Sequence, residues 1–182
     1  MIFKNATSII LSTGLILASV GCASKDDGEW VELFNGKDFS NFTQLGGTAA
    51  YHIEDGAIVG TSKHDTPNSF LTTNQTYKDF ILEWEFQVDE GLNSGVQFRS
   101  LSNPEDRNGR VHGYQFEMET SSRAWTGGVF DEARRGWLYR VDQNPQARAQ
   151  PYDSEQWNKA RIECYGNTIR TFLNGHPVSY VV

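Results

Sequence analysis

Cysteine is scarce in this chain: Cys22 and Cys164 are the only two. If Cys22 is the lipidated residue that follows an exported leader, the folded part holds one thiol and no internal disulfide. Its stability must then come from a hydrophobic core. Basic residues are also few, 16 Lys and Arg against 23 Asp and Glu, for a net charge of −7, and Arg134-Arg135 is the only basic doublet. A nucleic-acid track needs clustered cations, so nucleic acid is excluded as a partner. The four histidines, His52, His64, His112 and His176, have no ligand spacing, and no Asp-rich calcium loop occurs. No metal site or other cofactor is therefore expected. A phosphate loop, a Ser nucleophile elbow and a dinucleotide fingerprint are all missing. So is an apolar run of the roughly 20 residues that a confident membrane span requires.

A shorter apolar run does occur near the start. Lys4 precedes Ile9-Ile10-Leu11-Ser12-Thr13-Gly14-Leu15-Ile16-Leu17-Ala18, followed by Ser19-Val20-Gly21-Cys22. This reads as a lipoprotein signal peptide over residues 1–21, cleaved before Cys22. Small Gly21 fits that cleavage, although Ser19 stands where Leu or Val is commoner; ordinary secretion with an incidental cysteine is the alternative. Lipidated Cys22 and the hydrophilic residues 23–28 would tether the protein to a bacterial membrane, on its periplasmic or outer side. Residues 29–182 then form one domain. At the other end, Tyr180-Val181-Val182 reads as a strand stopped midway. The expectation is a truncated reading frame lacking its last strand or strands, with an edge that pairs with another chain as the alternative.

Between the ends, short alternating runs are punctuated by Gly, Asn and Asp, with no stretch of helical periodicity. Aromatics make up 13% of residues and charged residues 21%. This predicts an all-β sandwich. Tyr51-His52-Ile53 and Ala57-Ile58-Val59-Gly60 around Glu54-Asp55-Gly56 predict a hairpin. Phe80, Leu82, Trp84, Phe86 and Val88 alternate with Ile81, Glu83, Glu85 and Gln87 as the clearest strand. Residues 93–99 give another, with Val96 and Phe98 opposite Gln97 and Arg99. Residues 159–165 and 168–173 read as two strands joined by Gly166-Asn167, and Asn174-Gly175 turns the chain into 177–182.

The chemistry concentrates in residues 113–137, read as a strand and its following loop. At period two, Tyr114, Phe116 and Met118 share one face, and Gln115, Glu117 and Glu119 the other. Two carboxylates at that spacing lie about 6.6 Å apart along a strand, within the range of about 5–9.5 Å used by paired glycosidase carboxylates. On a partly buried face their pKa values separate, so that one holds a proton while the other stays ionised. On this ladder alone, the reading as solvated surface charge leads. Gln97 and Arg99 would join the ladder. Trp125, Trp137 and Tyr139 are candidate sugar-stacking faces, although each taken singly is better explained as filling the core. Arg99, Arg134 and Arg135 offer forked donors to hydroxyls or a keto oxygen, or to Glu117, Glu119, Asp131 and Glu132 as salt bridges. His112 is a further candidate acid or base.

The ordered series of motifs resembles one family. It comprises residues 31–40 (VELFNGKDFS), 93–99 (NSGVQFR), 113–117 (GYQFE), 126–130 (TGGVF), 156–162 (QWNKARI) and 173–175 (LNG). Together they are similar to the 3-keto-disaccharide hydrolase domain, over nearly everything after Glu29. The resemblance implies a concanavalin A-like jelly-roll sandwich of two antiparallel sheets, and a saccharide substrate oxidised to a ketone at C3. It also implies a functional link to a sugar 3-dehydrogenase that supplies the ketone. On this basis Glu117 or Glu119 would move the C2 proton and Arg99 or Arg134 would stabilise the enolate oxygen. Gln97, Gln115, Trp125, Asp131, Glu132, Arg134, Arg135 and Tyr139 would bind the sugar. A divalent metal could polarise the ketone instead, but no ligand cluster supports one. The alternatives are a non-catalytic, lectin-like carbohydrate-binding lipoprotein and a tethered interaction module that docks by strand addition.

Overall fold

The computed structural model describes residues 2–4, 30–148, 152–153 and 155–182, with backbone alone for residues 2–4, 107 and 148. Cys22 and the residues around it lie outside that set. Two antiparallel sheets form the sandwich. One has five strands in the order β1 (Ile2–Lys4), β6 (Phe80–Phe86), β11 (Asn158–Tyr165), β12 (Thr168–Leu173), β13 (His176–Val181). The other has four, in the order β10 (Gly136–Tyr139), β9 (Val129–Glu132), β8 (His112–Glu119), β7 (Asn93–Leu101). Strand β1 falls within the segment read as a leader. Two small ribbons complete the molecule: β2 (Phe42–Gly46) with β5 (Ser69–Thr73), and β3 (Ala50–Glu54) with β4 (Ala57–Thr61). The β3–β4 turn carries Asp55 and Gly56, both at positive φ (48° and 75°), the arrangement a two-residue hairpin favours.

Alternation explains why these segments pair face to face. Trp84 and Phe86 of β6, Ile162 and Cys164 of β11 and Leu173 of β12 point inward and are essentially sealed. They meet Val96 and Phe98 of β7, Phe116 and Met118 of β8 and Val129 of β9 in one continuous core. Trp84 spans the two sheets, its ring edge-on to Phe116 at 4.9 Å. Each such aromatic removes upwards of 150 Å² from water, so this contact and its neighbours carry much of the stability. Cys164 is a free thiol inside this core, pushed up to about 11 by burial, and so is an inert packing residue. A second, smaller core of Phe34, Phe42 and Ile58 underlies the ribbons.

Residues 120–137 differ from the expected single loop. The chain leaves β8, loops through residues 120–128, and returns as β9 and β10. β9 and β10 are joined by a tight turn over residues 133–135, with Ala133 at φ 58° and Gly136, the first residue of β10, at φ 78°.

Candidate active site on the four-stranded sheet

Strand register puts the polar ladder on the sheet face turned away from the core. Gln97 of β7 lies opposite Gln115 of β8, Gly95 opposite Glu117, and Asn93 opposite Glu119. On the other flank Glu132 pairs with Gly113 and Phe130 with Gln115, and Trp137 of β10 pairs with Phe130. Directly opposed residues share a face. The same outer surface therefore holds Asn93, Gln97, Gln115, Glu117, Glu119, Phe130, Glu132 and Trp137.

Glu117 is only 3% exposed although it is on an outer face. Each of its oxygens has an amide donor: Asn93 Nδ2 to Oε1 at 2.6 Å, and Gln115 Nε2 to Oε2 at 3.0 Å. Gln115 reaches Glu117 by folding over Gly95, where an added Cβ would stand 2.6 Å from the Gln115 side chain; only glycine leaves that space. Burial pushes the Glu117 carboxyl above its ordinary value, opposed by the two amides and reinforced by the nearby negative charge of Glu119.

Glu119 is equally sealed but differently partnered. Its Oε2 accepts from Arg123 Nη2 at 2.7 Å and Ser121 Oγ at 2.7 Å, and its Oε1 from the Trp125 backbone N–H at 3.0 Å. Burial pushes this carboxyl up too, but Arg123, Ser121 and the Trp125 amide together outweigh it and hold it below the usual range. The two carboxylates thus move in opposite directions. Their separation comes from unlike surroundings more than from mutual repulsion.

The loop of residues 120–128 supplies this cation and is itself fastened at its far end. Gly127 O accepts from Thr171 Oγ1 at 2.6 Å and Ser179 Oγ at 2.9 Å, both on the opposite sheet. Near the tip, the Arg123 guanidinium lies 4.5 Å from the Trp125 ring centre and 5.9 Å from that of Trp137. The two indoles meet edge-on at 4.8 Å. Because Arg123, and Arg140 at 5.4 Å, occupy the surroundings of the Trp125 ring, Trp125 works here as a seat for arginine. Beside Arg123 an open depression of about 400 Å³ is lined by Gly91, Leu92, Asn93, Glu119, Ser121 and Ser122.

Several residues grouped with the ladder on sequence grounds are placed elsewhere. Simple alternation puts Arg99 beside Gln97, but the pairing shifts between Phe98 and Leu101, and Arg99 sits at φ 48°. This bulge turns its guanidinium away, to Lys78 O, Gly166 O and Asp79 Oδ1. Asp131 pairs with Tyr114 and so faces the core side, fully buried, its oxygens taken by Arg134 Nε at 2.7 Å and Arg135 Nε at 2.6 Å. Those arginines hold it below the usual carboxylate range despite burial, and both guanidiniums lie near the Tyr114 ring. This cluster is a structural knot on the face opposite the ladder. Tyr139 packs against the main core. Glu132 stays on the ladder face, paired with Arg110 at 2.6 Å, and buried His112 meets Arg110 O through Nδ1 at 2.9 Å.

Sequence reasoning missed Asn93, Arg123 and Ser100, whose Oγ donates to Gln97 Oε1 at 3.1 Å. Asn93 continues the 97, 95, 93 alternation and was legible; Ser100 and Arg123 follow a bulge and a loop, where no period predicts direction. Among the described residues no group of three or more His, Cys, Asp or Glu is placed to hold a metal, and no helix is long and apolar enough to cross a membrane.

No curated protein matches the chain. Among solved structures, a presumed glycosyl hydrolase from Parabacteroides distasonis ATCC 8503 superposes with a TM-score of 0.58 at 19% identity, covering 82% of this chain and 70% of that one. The carbohydrate-binding module CBM66 from Bacillus subtilis superposes with a TM-score of 0.53 at 20% identity, covering 78% of each. At such identities the likeness is one of fold, the concanavalin A-like jelly roll. The family model of the 3-keto-alpha-glucoside-1,2-lyase-like domain matches residues 29–182, and the chain belongs to that family.

Proposed function

We propose that this protein cleaves the glycosidic bond of saccharides carrying a ketone at C3, with Glu117 as the base. The observation that carries this reading is a sealed carboxylate of raised basicity beside an ionised carboxylate–arginine pair. A C3 ketone acidifies the C2 hydrogen. The Glu117 carboxylate takes that proton, and the electron pair of the C–H bond moves into an enolate whose charge rests on the C3 oxygen. Collapse of the enolate forms the C1–C2 double bond and breaks the bond from C1 to the leaving oxygen, which departs with its electron pair and takes up a proton. Water then adds at C1 and a proton returns to C2, so the net change is hydrolysis.

Arg123 takes the role that the sequence alone suggested for Arg99 or Arg134. Its guanidinium is fixed by Glu119 and two indoles, is coupled electrostatically to Glu117, and borders the open depression, so it suits an oxyanion. Glu119 keeps Arg123 in place. Gln97, Gln115, Glu132 and Trp137 share the face on which the sugar would lie. The protein would work as a lipoprotein anchored through Cys22 at a bacterial membrane surface, with a sugar 3-dehydrogenase supplying its substrate.

The second reading, a carbohydrate-binding lectin-like module, is favoured by the likeness to CBM66 and by the open form of the depression. One experiment separates the two. Wild type and Glu117→Gln are incubated with a 3-keto-glucoside and with the parent glucoside, and products are followed by mass spectrometry and by the ultraviolet absorbance of the enone. Turnover of the keto-sugar alone, lost in Glu117→Gln, is expected; binding without turnover by wild type would establish the module instead.

A further inference from the structure

A base that takes a proton and later returns it must be held in both protonation states, and the ladder contains a device suited to that. From Glu117 Oε2 a chain of side chains runs down the face. Gln115 Nε2 donates to Glu117 at 3.0 Å, Gln97 Nε2 donates to Gln115 Oε1 at 3.4 Å, and Ser100 Oγ donates to Gln97 Oε1 at 3.1 Å. Every donor points toward the carboxylate, the polarity an ionised Glu117 requires. The bulge at Arg99 brings Ser100 into this row, and Gly113 makes room for it: a Cβ there would stand 2.5 Å from Ser100 Oγ. Bulges commonly re-aim a side chain in this way.

We propose that Gln115, Gln97 and Ser100 form a reversible hydrogen-bond relay that positions Glu117 in both its ionised and its protonated state. The two ends of a carboxamide have nearly the same shape, so each amide can turn over with its heavy atoms in place. Once Glu117 carries a proton, its O–H donates to Gln115 Oε1, Gln115 donates to Gln97 Oε1, and Gln97 donates to Ser100 Oγ. The Ser100 proton swings to Phe98 O, which lies 3.4 Å from the hydroxyl oxygen. Each link along the row has one donor and one acceptor in both polarities. A serine at the end is what permits this, because a hydroxyl both donates and accepts. Asn93 holds the other oxygen in either state.

The inference rests on Glu117 being the base, and the test separates the two claims. Other charged groups near Glu117 are Glu119 on its own strand and Arg123 on the loop. The Glu132–Arg110 pair stands further along the face, and β7 and β10 contribute only neutral groups there. All stay intact in Gln115→Met, Gln97→Leu and the double variant. Their kcat, KM and pH–rate profiles on a 3-keto-glucoside are measured beside the 13C titration of the Glu117 carboxyl, with near-ultraviolet circular dichroism checking the fold. Gln115→Met removes a donor from the ionised form and an acceptor from the protonated one, and the charge-assisted bond to the ionised form is the stronger of the two. The acidic limb of kcat and the carboxyl titration are therefore expected to move together to higher pH, with kcat below the limb falling about three- to tenfold. Gln97→Leu should act in the same direction but more weakly, and the double variant should match Gln115→Met, since the links act in series. An unmoved titration, or independent effects that add, would overturn the relay while leaving the base assignment standing. Full activity in Glu117→Gln would overturn the base assignment itself.

Discussion

Two Glu-x-Glu strands lie on outward faces of this sandwich, Glu83-Trp84-Glu85 in β6 and Glu117-Met118-Glu119 in β8. In sequence they are nearly interchangeable. On β6 the carboxylates meet cations from the neighbouring strand, Glu83 with Arg161 and Glu85 with Lys159 at 3.5 Å, and their side chains are 37% and 31% exposed. On β8 the Glu119 side chain is 3% exposed, a loop supplies the one arginine, and Glu117 is held by amides alone. What makes a carboxylate pair chemically useful is therefore its cover and the identity of its partners, and these come from segments remote from the motif. The β6 pair is the internal control for the β8 pair.

The largest difference should appear in turnover. Glu117→Gln keeps shape and removes the base, so kcat on a 3-keto-glucoside should fall on the order of 10²- to 10⁴-fold. Glu85→Gln should leave it within about twofold. Equal losses in the two variants, measured by product formation under saturating substrate, would break the comparison at its root.

Arg123 tests the cover. In Arg123→Leu, Glu119 keeps Ser121 and the Trp125 amide but loses its counter-charge. Because Arg123 is itself 45% exposed, a destabilisation of about 1–2 kcal/mol is expected, below that of a fully buried pair. The sign with pH follows from linkage. Glu119 is depressed in the folded state, so its stabilisation is present above the ordinary carboxylate pKa and is lost as pH falls through the folded value. The Tm gap between wild type and Arg123→Leu should be widest near neutrality and close on acidification. A gap that is constant with pH would mean that Arg123 acts only by packing on Trp125 and Trp137.

The fold was largely legible because alternation is a local signal. The β6 run, residues 93–98 and the hairpin around Asp55-Gly56 each carry their own period, and the motif series pointed to a jelly roll. Legibility failed where the period broke. Extrapolating it one residue past Phe98 placed Arg99 on the ladder, and the bulge sent it to Asp79 instead. Reading residues 120–137 as one loop hid that Asp131 sits opposite Tyr114 and must therefore face the core, taking Arg134 and Arg135 with it. Gln115, Glu117 and Glu119 were placed on the right face, yet nothing local announced the burial of the two carboxylates, which depends on Asn93 across the sheet and on Arg123 six residues beyond Glu117.

The smallest effect should come from the other side of the comparison, and its smallness carries information. Glu83 and Arg161 face solvent on the five-stranded sheet, and Arg161 also donates to Glu163 Oε1 at 2.8 Å, so Glu83→Gln leaves the guanidinium with a second carboxylate. Exposed pairs of this kind contribute about 0–1 kcal/mol and are screened by salt. Urea unfolding of Glu83→Gln should therefore lie within about 0.5 kcal/mol of wild type, with the difference shrinking further as ionic strength rises. A salt-insensitive loss of several kcal/mol would mean that β6 needs its charges as β8 needs Arg123. The two Glu-x-Glu strands would then differ only in degree, and the burial of Glu117 could no longer single it out as the reacting group.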